Sequence, residues 1–259
     1  MTTIATNLQR IHARIANACQ LSGRSPESVG LLAVSKTFGA DAVVQAYAAG
    51  QFAFGENYIQ EAVEKITALG AWAAKRSAQV KEEPAQRAGG TEQSALAPRL
   101  LAYSPLQWHC IGPIQSNKTR QVAEHFDWVH TVDRLKIAQR LSEQRPAHLA
   151  PLQVCIQVNV DGGSTKSGVA PADALALIQA VAALPRLCVR GLMCIPDPAT
   201  DFIAACAVFS RARGLFDQIN STGMALDTLS MGMSDDLEAA IASGSTMVRV
   251  GSAIFGART

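Results

Sequence analysis

The chain has 259 residues, 48% of them hydrophobic, which suits one α/β domain with a large core. Its 23 basic and 21 acidic residues leave a net charge of +2, too even for a surface built to hold nucleic acid or an anionic membrane. No stretch approaches the ~20 apolar residues of a membrane span, and the six cysteines form neither a CxxC pair nor a metal-ligand spacing. Buried thiols in a reducing cytoplasm are the expectation.

Residues 1–26 carry Arg10, Arg14 and Arg24 and no acid, a composition shared with organelle transit peptides. Ile4, Leu8, Ile11 and Ile15 recur at helical spacing, however, and predict a helix packed on the body of the domain. From there the chain alternates short apolar, β-branched runs with Ala-rich amphipathic segments. Strands are expected at Val29–Lys36, Phe52–Asn57, Gln107–Gly112, Trp128–Val132, Leu152–Val160, Leu187–Pro196, Thr228–Gly232 and Met247–Phe255. Helices are expected at Ala40–Ala49, Tyr58–Leu69, Asn117–His125, Arg134–Gln144, Ala172–Leu184, Phe202–Asn220 and Asp235–Ser243. Eight such units predict a single (β/α)8 barrel with an extra N-terminal helix, a closed sheet without exposed edges. A doubly wound open sheet is the alternative, but no strand leads into a G-x-G-x-x-G turn. One segment, 73–105, is rich in Ala, Gln, Glu, Lys and Gly and too poor in apolar residues to form a core; it is expected to be a mobile insertion within the single domain.

In such a barrel the chemistry collects where strands end, at the C-terminal face. Lys36 ends the first expected strand and Asn57 the second; Ser230, Met231 and Gly232 end the seventh; Arg249, Gly251 and Ser252 fall in the eighth. A lysine among apolar walls loses solvation for its charge, which favours the neutral amine that attacks an aldehyde. The bland alternative is a strand-end lysine reaching for water. Arg249-Val250-Gly251-Ser252 offers a fixed cation, an open backbone and a hydroxyl, the groups a phosphate needs, at the usual phosphate position of this fold. Ser230 and Gly232 add a hydroxyl and open backbone from the neighbouring strand. Together with Lys36 across one barrel mouth they describe a site for a phosphorylated aldehyde. His109 can face that pocket or be a satisfied core residue, and Gln115, Asn117 and Lys118 can equally cap the next helix.

Several phrases carry a resemblance. Ala33-Val34-Ser35-Lys36-Thr37, Phe54-Gly55-Glu56-Asn57-Tyr58, Trp108 through Lys118, Arg190-Gly191-Leu192-Met193, Leu229 through Asp236 and Met247 through Arg258 occur in order along nearly the whole chain. With them the chain closely resembles the pyridoxal phosphate homeostasis proteins, the YggS or PROSC family, whose barrel is similar to the N-terminal domain of alanine racemase. The resemblance implies pyridoxal phosphate bound as an imine on Lys36, with phosphate contacts from Ser230, Gly251 and Ser252 and with Asn57 near the ring. It places Met231 and Gly232 in the same cofactor-binding set, and by similarity to the racemase domain it sets Arg249 facing the pyridine nitrogen.

Arg249 donates hydrogen bonds and does not accept them, so facing that nitrogen it would leave it unprotonated and weaken the ring as an electron sink. Alanine racemases carry a following β-domain that completes a dimeric site and supplies a tyrosine base. This chain ends three residues after Gly256, and Tyr47, Tyr58 and Tyr103 offer no evident substitute. The expectation is therefore a cytoplasmic, monomeric cofactor carrier without catalytic residues, in transient contact with apo-enzymes that need pyridoxal phosphate. A weak amino-acid racemase and a class I imine-forming aldolase are the alternatives.

Overall fold

In the computed structural model, residues 3–82, 106–163 and 166–256 are described. Eight parallel strands close into a barrel in sequence order. They are β1 (Gly30–Val34), β2 (Ala53–Glu56), β3 (Gln107–Cys110), β4 (Trp128–Val132), β5 (Leu152–Gln157), β6 (Leu187–Met193), β7 (Thr228–Ser230) and β8 (Met247–Val250). Most are buried along nearly their whole length, β1 from Leu31 to Val34 and β4 throughout, because helices cover one face and the barrel interior the other. That double burial is why the strands read as continuous apolar runs rather than alternating ones.

The covering helices are α1 (Ile4–Leu21), α2 (Ala40–Ala48), α3 (Ile59–Glu82), α4 (Thr119–His125), α5 (Leu135–Gln144), α6 (Ala174–Ala182), α7 (Phe202–Asn220), α8 (Leu237–Ala242) and the single turn α9 (Ser252–Phe255). Among the described residues no helix is long and apolar enough to cross a membrane, and no group of three His, Cys, Asp or Glu is placed to hold a metal.

The expected N-terminal helix is present. Thr3 caps it by accepting from the Thr6 amide, and Leu8, Ile11, Ile15, Ala18 and Cys19 form its buried stripe. It buttresses the floor of the barrel mouth: Asn7 Nδ2 donates to Ile254 O at 2.9 Å, and Arg14 donates to Ser234 O at 2.9 Å while forking onto Glu238.

Several boundaries differ from expectation: β1 stops at Val34 and β2 at Glu56, so Lys36 and Asn57 lie in the loops that follow these strands. The eighth strand stops at Val250, and Ser252–Phe255 is helical rather than extended. The sixth stops at Met193 and the fifth at Gln157, beyond which only Val158 bridges to Val169. After β5 and β8 the apolar run outlasts the strand because Val158, Val160 and Ile254 are buried in the segments that follow, whereas after β6 Cys194 is buried but Ile195 is exposed. Finally, α3 continues past Leu69 to Glu82, into the segment expected to be irregular. The rest of that expected insertion, 83–105, lies outside the described residues, as does Tyr103.

Candidate functional site

Parallel closure of the barrel solves a distance problem. Leu32 pairs with Arg249 and Ala33 with Val250, so the end of β1 lies beside the end of β8 although they sit at opposite ends of the sequence. A cavity of about 280 Å³ opens there, at the C-terminal face. Lys36, Asn57, Arg249, Gly251 and Ser252 all line it. Its apolar wall comes from Val34, Phe38, Ile111, Ile195 and Met233, and Ser234, Asp235 and Gly256 complete the rim. Phe38 stacks on Phe255 with ring centroids 5.2 Å apart, tying the loop after β1 to α9.

Lys36 is half-buried and follows Ser35, which is fully buried. The next residue, Thr37, has φ +69°, a left-handed conformation that costs a β-branched residue on the order of 1–2 kcal/mol. Strain of that kind persists only where neighbouring contacts outweigh it. Here the Thr37 amide donates to Glu61 Oε1 at 2.8 Å.

Asn57 presents a buried Oδ1 that has no hydrogen-bond partner among the described residues. Its backbone is packed against Gly112, where an added Cβ would lie 2.2 Å from Asn57 O. Gly251 is similarly confined, since a Cβ there would come within 3.2 Å of Val34 O. Behind it α9 begins without a side-chain cap, and the Gly251 carbonyl accepts from both Ile254 and Phe255. The first amides of this turn therefore lack intrahelical partners.

Ser230, Met231 and Gly232 do not line the cavity. Ser230 and Met231 are fully buried, and a Cβ on Gly232 would meet Ala240 at 2.5 Å. The Ser230 hydroxyl is engaged on its inner side: Arg249 donates to it at 2.7 Å, and it lies 3.0 Å from His130 Nδ1. His130 Nε2 in turn lies 2.9 Å from His109 Nδ1, and Arg249 also donates to Cys194 O at 2.9 Å. One assignment of protons satisfies this chain best. With Arg249 donating to Ser230, the Ser230 hydroxyl donates to His130 Nδ1 and His130 Nε2–H donates to His109 Nδ1, leaving His109 Nε2 as the one ring nitrogen of the pair without a partner among the described residues. His109 is thus a core residue, stacked on Trp128 at 5.2 Å. His130, which holds Ser230, carries no signal in the sequence.

Burial also sets the charge states. It pulls His109 down to about 3 and His130 well below the ordinary imidazole range, the latter helped by His109 and the Arg249 charge. Both are neutral at pH 7 and stay neutral under mild acid. The stability that depends on their neutrality is fully present above the unfolded value near 6.5, and it is lost as the pH falls from there toward about 3. Proton NMR should therefore show His109 and His130 still unprotonated at pH 5 in the folded protein, whereas imidazole signals moving with a midpoint near 6.5 for either would contradict the chain.

Arg249 itself is buried, and burial lowers its pKa without approaching neutrality, since guanidinium starts above 12. Its hydrogen bonds given above run to a hydroxyl and a carbonyl rather than to a carboxylate. A fixed cation, a lysine amine, open glycine backbone and exposed hydroxyls in one half-apolar cavity can seat an anionic, carbonyl-bearing small molecule.

A barrel bearing a strand-1 lysine and a strand-8 turn of this type defines a class. The family described as alanine racemase, N-terminal domain, matches residues 6–259. The pyridoxal phosphate homeostasis protein of Pseudomonas aeruginosa PAO1 is 55% identical over 258 residues, covering 100% of this chain and 97% of that protein. The protein of the same description from Escherichia coli K12 is 47% identical, covering 100% and 98%. Among solved structures, PipY of Synechococcus elongatus PCC7942 with PLP bound is 35% identical, with a TM-score of 0.69 over 93% of this chain and 100% of that one. The chain belongs to the family of pyridoxal phosphate homeostasis proteins.

Proposed function

We propose that this protein binds pyridoxal phosphate through Lys36, buffers it, and hands it to apo-enzymes, acting in the cytoplasm as a monomer. The observation that carries the reading is the convergence of Lys36, Arg249, Gly251 and Ser252 on one cavity at the C-terminal face of the barrel. The residues present fit the group. The volume, about 280 Å³, is near the ~300 Å³ lower end of small-molecule sites. The orphaned Asn57 Oδ1 lacks a donor that a hydroxyl-bearing ring would provide. Gly251 and Ser252 both line the cavity and present backbone and a hydroxyl to a phosphate seated there.

When bound, the cofactor supplies a reactive aldehyde and an electron-withdrawing pyridine ring. Lys36 provides the amine that holds it. Gly251, Ser252 and the first amides of α9 grip its phosphate, and Asn57 orients the ring. Ser230 acts in this reading from behind, fixing the Arg249 guanidinium, with Met231 and Gly232 shaping the wall beneath. Arg249, which lines the cavity, would hold the ring as a donor toward its nitrogen, and a donor there would leave that nitrogen unprotonated and disfavour carbanion chemistry. Exchange of one amine for another at an aldehyde needs no carbanion, so such a site would permit release of the cofactor from Lys36 without supporting racemisation.

The test has two sides. Mixing the loaded protein with an apo-aminotransferase should restore that enzyme's activity, and α-proton exchange of alanine in heavy water should run no faster than with free cofactor. Rapid exchange would favour the racemase reading. A protein that takes up no pyridoxal phosphate but cleaves a phosphorylated ketose would favour the aldolase.

A further inference from the structure

The loop that carries Lys36 is fastened from behind by charged residues that do not line the cavity. Lys65 on α3 is buried, and its ammonium reaches three oxygens: Glu56 Oε1 at 2.6 Å, Ser35 O at 2.9 Å and Glu61 Oε1 at 3.3 Å. An ammonium has three hydrogens, so its donor capacity is matched. The same carboxylates hold the residues on either side of Lys36. Ser35 Oγ donates to Glu56 Oε1 at 2.7 Å, and the Thr37 amide donates to Glu61 Oε1 at 2.8 Å. Both peptides flanking Lys36 are thus tied to one ion cluster, and the left-handed turn at Thr37 (φ +69°) is held by it.

Surface ion pairs contribute little, but this one is different in kind. Lys65 and Glu56 are both buried, and such a pair is a poor way to gain stability compared with apolar packing. What it does supply is direction, since a hydrogen-bonded cluster permits one arrangement of the backbone where apolar packing permits several.

We infer that Lys65, Glu56 and Glu61 are positioning residues that aim the Lys36 amine into the cavity. The inference rests on the reading of Lys36 as the cofactor's point of attachment. It separates two parts of binding: the cluster governs bond formation at Lys36, whereas Gly251 and Ser252 govern the grip on phosphate.

Two ligands distinguish these parts. Pyridoxal phosphate carries the aldehyde that reacts with Lys36, and pyridoxine phosphate carries an alcohol that does not. Glu61→Ala, which frees the Thr37 amide near the surface, should weaken pyridoxal phosphate roughly tenfold, the scale of one charge-assisted hydrogen bond. Pyridoxine phosphate should bind as before. Glu61→Gln keeps an acceptor and should restore most of the loss. The paired change Lys65→Met with Glu56→Gln removes the buried charges together and should act in the same selective way; if it does not fold, the two Glu61 variants decide. Parallel weakening of both ligands, or no effect on either, would overturn the inference. A wild-type protein that binds the alcohol as tightly as the aldehyde would overturn the attachment reading beneath it, and the inference with it.

Discussion

Gly251→Val is expected to weaken pyridoxal phosphate binding more than ~100-fold, beyond the loss of a single charge-assisted hydrogen bond at ~1.5–3 kcal/mol. The position is closed on its inner side, where even a methyl group would press on the Val34 carbonyl at 3.2 Å. A branched side chain must therefore press on the end of β1, and relief by moving the Gly251 backbone shifts the first amides of α9 that grip the phosphate. Ser252→Ala removes only a hydroxyl from the exposed rim and should cost roughly ten- to a hundredfold, the range of the one bond it deletes. Binding of unphosphorylated pyridoxal separates the causes. The phosphate grip is correctly placed if pyridoxal affinity changes far less than pyridoxal phosphate affinity, and misplaced if both fall together.

Gly191→Ala should abolish stable folding. Gly191 on β6 pairs with Thr228 on β7, and an added Cβ would fall 1.6 Å from the Thr228 carbonyl oxygen. The two strands must part, and a closed barrel has no free edge to absorb the shift. A loss above ~4–5 kcal/mol is exceptional for one substitution and is comparable to the total stability of many domains. Gly214→Ala is the control. It sits within α7 with nothing in the way of a methyl group, and should raise stability by up to ~1 kcal/mol. Thermal melts of the two variants should move in opposite directions.

The barrel was largely legible because its strands are buried on both faces and its helices on one, which stamps two different periods on the sequence. Boundaries were less so. Ala253-Ile254-Phe255 extends the apolar run of β8, and composition alone does not distinguish a strand from the single turn that the chain adopts after Gly251. The cavity residues at or just beyond strand ends, Lys36 and Asn57 in the loops after β1 and β2 and Arg249 near the end of β8, could be read because in this fold the end of a strand is an address. Ser230 shares that address yet turns inward, since its partners His130 and Arg249 arrive from β4 and β8. Nothing local to Ser230 announces them. The same holds for Lys65, which by spacing belongs to a helix and by charge to its surface. Only the packing of α3 against the ends of β1 and β2 shows that its ammonium is buried on Glu56 and Ser35. Long-range polar pairing is the part of this site that periodicity does not encode.

The central claim is that Lys36 holds the cofactor, and borohydride tests it most directly. Reduction of the yellow, loaded protein should fix the cofactor irreversibly, and peptide mapping should find it on the peptide containing Lys36. Two other lysines give the experiment its force: Lys166, paired with Asp197 at 2.7 Å, and Lys118, 3.4 Å from Gln60 Oε1. Neither lines the cavity with Arg249 and Gly251. Stoichiometric label on Lys36 is the predicted result; label on Lys118 or Lys166 with Lys36 unmodified would contradict it.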